Sequence, residues 1–203
     1  ISNTKAGTLN SYNYSTEVFI GCTNLQEIVF PKRLTSIGAY AFYYGDKIAN
    51  GITNIVFEEG CRLTKIGEGA FQNTSIESFV MPSSVTTIGT EVFKGCASLT
   101  KLVVSESTDA QMLTTLIAGA NAIEDVVIPN GNHSIKDVNG IIYNYEITTL
   151  VLALSKTQTT EVIIPASVTE ISTNAFSTTT KILKSAQAHF QAAVLWKSLY
   201  LPV

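Results

Sequence analysis

The stretch Leu25-Gln26-Glu27-Ile28-Val29-Phe30-Pro31, followed by Leu34-Thr35-Ser36-Ile37-Gly38 and Ala41-Phe42, recurs along this chain with drifting spelling. It returns over 52–57 with 63–67 and Ala70-Phe71. It returns over 76–82 with 85–89 and Val92-Phe93, and over 162–165 with 168–171 and Ala175-Phe176. Residues 99–104 and 123–129 keep the first half of the pattern and lose the second. A fragment, Val18-Phe19-Ile20-Gly21-Cys22, matches Val92-Phe93-Lys94-Gly95-Cys96. The position after the first half falls at 31, 58, 82, 105, 129 and 165, in steps of 27, 24, 23, 24 and 36. The Ile before Gly falls at 37, 66, 88 and 171. Its last gap, 83, equals 23 + 24 + 36, so two independent columns agree on the number of repeats. Four of the five prolines, Pro31, Pro82, Pro129 and Pro165, share one phase.

A short self-similar period is the mark of a stacked architecture. Side chains alternate across a strand, so Leu25, Ile28 and Phe30 face one way and Glu27 and Val29 the other. Stacking then puts Ile28, Ile55, Phe79, Leu102, Val126 and Val162 in one interior column. Each such side chain contributes roughly 1.5–3 kcal/mol when buried. A single copy cannot cover its own apolar face, so neighbours must do it. Pro, which has no N–H, ends the strand and presets a turn. Glu58 and Ser105 stand in for it twice. Gly38, Gly67 and Gly89 mark either a tight bend or a close backbone approach. Ser172 at the fourth site weakens a strict need for positive φ. Phe42, Phe71, Phe93 and Phe176, with Phe19, are expected to form an aromatic column along the far edge.

The pattern changes over 135–153. Val138-Asn139-Gly140-Ile141 is a hairpin signal, because Asn-Gly supplies the positive φ angles of a two-residue turn. A further turn near Asn144 and a strand at Thr149-Leu150-Val151-Leu152 complete a meander that accounts for the 36-residue step. Residues 109–118 lack Pro and Gly and read as a helix replacing a missing half-repeat. Residues 186–199 read as an amphipathic helix closing the stack. The organisation expected is one repeat domain over 1–203. Its parts are an N-terminal cap or disordered stretch (1–16), repeats (17–134), a β-hairpin insertion (135–153), the last repeat (154–180) and a helical cap (181–203).

The string Ile28-Val29-Phe30-Pro31…Leu34-Thr35-Ser36-Ile37-Gly38-x-x-Ala41-Phe42 and its copy over 163–171 resemble the BspA-type leucine-rich repeat. The hairpin Val138-Asn139-Gly140-Ile141-Ile142-Tyr143…Thr148-Thr149-Leu150-Val151 is similar to an accessory hairpin of that family. Phe190-Gln191-Ala192-Ala193…Trp196 resembles its closing segment. The resemblance covers roughly residues 17 to 201. It implies an α/β repeat solenoid, a right-handed β/α superhelix rich in β with short helices and the hairpin insertion. It also implies a secreted or surface-anchored bacterial protein, some relatives being adhesins, and it brings no catalytic residues.

Composition narrows the function. Apolar residues make up 45% of the chain and charged ones 14%, with net charge −3. No cluster of Lys and Arg exists to neutralise phosphates, so nucleic acid is not expected as a partner. No apolar run reaches the length of about 18 residues that a spanning helix needs. The chain opens at Ile1 without Met or signal peptide and reads as a mature or truncated piece; its polar, uncharged surface suits export. Cys22, Cys61 and Cys96 are odd in number. The first and last sit three repeats apart, about 14 Å at roughly 4.8 Å per rung, too far for a disulfide. They read as small buried thiols. His133 and His189 have no ligand-type neighbours, and Glu58-Glu59 reads as a solvated turn, so neither metal, cofactor nor enzymatic chemistry is expected. Asn13, Asn73 and Asn132 begin N-x-Ser triplets that short polar turns produce readily.

The candidate partner site is the outward strand column Val29, Val56, Val80, Val103 and Val127, continued by Ile163. It is flanked by Glu27, Asn54, Ser78, Lys101 and Asp125 and continued by Glu161. Six rungs span about 24 Å. An apolar stripe with a polar rim can receive a partner. Alternatively, β-branched residues simply suit strands on either face. The function expected is a monomeric surface or secreted module binding a protein or glycan. The alternatives are a spacer within a longer surface protein and, with no acid cluster to support it, a solenoid enzyme.

Overall fold

The alternation at 25–30 is realised rung after rung. In the computed structural model the described residues are 19, 24–43, 45, 51–154, 164–173 and 175–176. Strands β1 (Glu27–Phe30) and β3 (Asn54–Phe57) pair in parallel, with Ile28 opposite Ile55 and Val29 opposite Val56. Strands β5 (Ser78–Val80), β7 (Lys101–Val103) and β8 (Asp125–Val127) form a second parallel run with Phe79, Leu102 and Val126 aligned. Ile55, Phe79, Leu102 and Val126 are buried and Ile28 half-buried, as the interior column requires.

The second half of each repeat builds a second stack: β2 (Ser36–Ile37), β4 (Lys65–Ile66) and β6 (Thr87–Ile88), with Ile37, Ile66 and Ile88 in register. Two-residue strands cannot hold themselves, so their neighbours hold them. The threonine of Thr-x-Ile supplies an additional tie. The N–H groups of Thr64 and Lys65 both donate to the Thr35 carbonyl, and Thr64 Oγ1 donates to the same oxygen at 3.0 Å. Thr86 repeats this on Thr64, and Thr169 on Thr148. Of the two options for the Ile-Gly glycines, the structure selects close approach at Gly67 and Gly89, whereas a Cβ on Gly38 would meet nothing within 4 Å. None of the three has positive φ. A Cβ on Gly67 would lie 2.6 Å from the Gly38 carbonyl carbon, and one on Gly89 would lie 2.7 Å from Glu68 Cα.

The aromatic column is present over four rungs. Phe19, Phe42, Phe71 and Phe93 stack at centroid distances of 4.9, 5.4 and 5.7 Å, nearly parallel. Phe176 departs from the expectation. It packs with a separate cluster around Leu150, Tyr143 and Ala175, because the two rungs between it and Phe93 carry no phenylalanine.

Helix α1 (Ala110–Leu116) takes the place of a second-stack strand. Asp109 caps it by accepting the Met112 N–H at 2.7 Å, and Leu113 and Leu116 enter the core. It packs between β6 and β11 (Thr149–Ala153). The meander is as read: β9 (Ile135–Val138) and β10 (Ile141–Asn144) pair antiparallel through Asn139 and Gly140, with φ of 57° and 82°. The Asn144 carboxamide oxygen accepts the N–H groups of Thr148 and Thr149, fixing the next turn. β11 then pairs with β10 and also, in parallel, with β12 (Glu170–Ile171). It therefore serves as a rung of the second stack. The result is a β-rich solenoid of about five turns with little helix. The proposed caps at 1–16 and 186–199, together with Cys22, Val162 and His189, lie outside the described residues.

Candidate functional site

The strand face stands where the alternation places it. Val29, Val56, Val80 and Val127 are exposed, from 38% for Val56 and Val127 to 58% for Val80, while Val103 is half-buried. Burying valine is favourable, so a row of valines left in water on an otherwise well-filled solenoid marks this face. Register brings the flanking residues together: Glu27 pairs with Asn54, Ser78 with Lys101, and Lys101 in turn with Asp125. Asn54 Nδ2 donates to Glu27 Oε2 at 2.6 Å. The rim is mixed in sign and forms no cationic track.

The stripe is not one uniform sheet. The ladder is interrupted between β3 and β5, and a groove of about 470 Å³ opens there. Its walls include Ile55, Val56, Phe57, Val80 and Pro82, and Glu58 and Cys61 lie at its corner end. The sequence carries the signal for it. From the post-strand position to the next core residue the count is three in 31–34 and 82–85, but five in 58–63. The two extra residues are Gly60 and Cys61, with Gly60 at φ +72°. The corner is nevertheless held: Ser84 Oγ reaches the carbonyls of Cys61 and Leu63 at 3.0 and 2.7 Å.

The other polar residues singled out from the sequence have structural roles. Cys96 is buried, its Sγ 3.0 Å from the Phe71 carbonyl oxygen and 3.4 Å from Thr74 Oγ1. Burial pushes its thiol pKa up to about 11. Cys61 is a half-buried free thiol. Glu58 accepts the Lys32 backbone N–H at 2.9 Å, as a turn residue would. His133 sits edge-on to Tyr145, whose ring also carries Lys136 Nζ 4.7 Å from its centroid. Asn132 is buried, and its side chain makes four bonds. It donates to the carbonyls of Ser105 and Thr108 and accepts the N–H groups of Ser134 and Ile135. Asn73 donates to the Gly45 carbonyl. The Asn132 carboxamide is thus committed to the fold, while half-buried Asn73 ties one rung to the loop before it. Among the described residues, no three His, Cys, Asp or Glu converge on a metal-sized site, and no helix is long and apolar enough to cross a membrane.

With the rungs and their registers established, the family follows. The BspA type leucine rich repeat region, in six copies, matches residues 12–139 and 151–189. The chain belongs to the BspA-type leucine-rich repeat family. No curated protein matches it. Two solved structures are similar to this chain in fold. One is a leucine-rich repeat protein from Eubacterium ventriosum, with TM-score 0.62 and 24% identity over 80% of this chain and 41% of that one. The other is the pneumococcal vaccine antigen PcpA, with TM-score 0.58 and 21% identity over 74% of this chain and 42% of that one. The chain spans about two fifths of the length of each. At these identities the likeness is one of fold.

Proposed function

We propose that this chain is a non-enzymatic binding module of a cell-surface or secreted protein, docking a protein or glycan partner on the strand face of β1, β3, β5, β7 and β8. The observation that carries this reading is the exposed valine row with its paired polar rim. Interfaces place apolar contacts at the centre and polar ones around them. Family membership and the fold shared with a vaccine antigen support a surface location. The test is a binding survey on arrays of extracellular-matrix proteins and glycans. It compares the native chain with a triple variant, Val56→Ser, Val80→Ser and Val103→Ser. The native chain is expected to give saturable hits that the variant loses while its melting curve is retained. Hits that survive the triple substitution would move the partner site elsewhere. An array without hits would leave the chain as a spacer.

A further inference from the structure

We propose that the exposed Asn130-Gly131 turn is a site of spontaneous covalent modification, at which the Asn130 carboxamide becomes a carboxylate through a cyclic imide. The same dipeptide at Asn139-Gly140 is protected by its hydrogen bond to Asp137. This inference goes beyond the strand-face reading and does not depend on it.

The chain holds three Asn-Gly pairs, and Asn50 of the first lies outside the described residues. Glycine after asparagine leaves the backbone nitrogen unshielded, because no Cβ crowds the approach to it. In the reaction the glycine nitrogen attacks the asparagine Cγ. An N–Cγ bond forms, the Cγ–Nδ2 bond breaks, and ammonia leaves with the proton that the glycine nitrogen gives up. Water then opens the five-membered ring at either carbonyl, leaving aspartate or its isomer with the main chain routed through Cβ and Cγ. Both reacting groups belong to the same chain, so the rate is set by how freely they meet. The two described pairs differ in that freedom. Asn130 and Gly131 form the exposed centre of a turn closed by the Asn132 N–H on the Pro129 carbonyl at 2.9 Å. Neither has positive φ, and no hydrogen bond among the described residues engages the Gly131 N–H. At Asn139-Gly140 the attacking group is occupied. The Gly140 N–H donates to Asp137 Oδ1 at 2.6 Å, and the Gly140 carbonyl accepts the Leu154 N–H at 2.9 Å. Strands β9 and β10 hold that turn from both sides. The product at 130 bears on its own corner. The Glu106 carboxylate already lies against Gly131, so a second negative charge arises one residue away, and like charges repel.

The test incubates the full chain in warm, mildly alkaline buffer and then digests it with trypsin. Cleavage after Lys136 separates the pairs, with Asn130 in fragment 102–136 and Asn139 in fragment 137–156. Tandem mass spectrometry reads the amide-to-acid mass gain at each asparagine over time. In the folded chain Asn139 should react roughly tenfold or more slower than Asn130, the factor that a hydrogen bond to a charged acceptor is worth. In urea the two should react at similar rates, since both are then unstructured Asn-Gly. Asp137→Ala, checked for folding by circular dichroism, should bring Asn139 toward the rate of Asn130. Asn130→Gln should remove the early signal from fragment 102–136. Equal rates at the two sites in the folded chain would overturn the inference. So would an Asn130 that stays intact in the folded chain while it reacts in urea. An Asn139 still protected in a folded Asp137→Ala variant would overturn the role given to Asp137. Should that variant not fold, the comparison of native chain with urea decides alone.

Discussion

The Ile-Gly glycines allow a sharp comparison, because one motif position occurs three times in different surroundings. At Gly38 an added Cβ meets nothing within 4 Å, whereas at Gly67 it would lie 2.6 Å from the Gly38 carbonyl carbon. Carbon atoms prefer about 3.5–4.0 Å, so the rung would have to open by about 1 Å. That shift would lengthen the Gly67 N–H bond to the Ile37 carbonyl, now 2.9 Å, beyond hydrogen-bonding reach. It would also strain the adjoining bond from Tyr40 N–H to the Glu68 carbonyl, now 2.7 Å. Two bonds at about 1 kcal/mol each, plus disturbed packing of about 1–3 kcal/mol, give a loss of roughly 3–5 kcal/mol for Gly67→Ala. Gly89→Ala, facing Glu68 Cα at 2.7 Å, should match it. Gly38→Ala has no such clash and no positive φ. It should be neutral or stabilising by about 0.4–1 kcal/mol through the unfolded chain. Urea unfolding of the three variants measures the differences. If Gly67→Ala and Gly38→Ala unfold within about 0.5 kcal/mol of each other, the close-approach reasoning is refuted.

Two further outcomes follow from buried polar groups. Asn132→Ala strands the carbonyls of Ser105 and Thr108 and two N–H groups. At about 1–3 kcal/mol per unsatisfied group, with partial relaxation, it should cost roughly 3 kcal/mol; a loss under about 1 kcal/mol by the same urea assay would contradict the network. Cys96 should make stability fall at alkaline pH. Its folded pKa, about 11, lies above the ordinary thiol value of 9.0, so the unfolded chain releases the proton first. The folded state is undisturbed below pH 9 and loses ground as pH rises toward 11. With each pKa unit worth about 1.36 kcal/mol, the native chain should lose on the order of 1 kcal/mol more than Cys96→Ala between pH 8 and 10. Equal losses would contradict the assignment.

The stack was legible because its cause is periodic. Ile28, Ile55, Phe79 and Leu102 occupy one column since no rung can bury its own face, and that necessity leaves a spelling that repeats. The hairpin was legible because Asn139-Gly140 is the residue pair that tolerates both turn angles. The valine face followed from alternation alone. What escaped the pattern is aperiodic. The two-residue lengthening at Gly60-Cys61 lay in the spacing of 58–63, masked because the steps before and after it compensate. The threonine hydroxyl ties depend on a carbonyl from the rung before, and a single repeat does not contain its partner. Phe176 fell out of the aromatic column because column membership needs filled neighbours, and the intervening rungs lack phenylalanine. Asn132 looked like a surface triplet because nothing local distinguishes a buried turn from an exposed one.

Among the described residues, two interruptions in the backbone ladders fall at different heights. The first stack is open between β3 and β5, where the second stack runs unbroken from β4 to β6. The second stack is broken at α1, where the first runs unbroken through β5, β7 and β8. The joints are offset as in brickwork, so no cut across the long axis at either seam avoids an intact course of peptide bridges. A wall bonded this way can accommodate a gap in one face and a helix in the other without gaining a line of cleavage. Pulling it apart at either seam must rupture the opposite course.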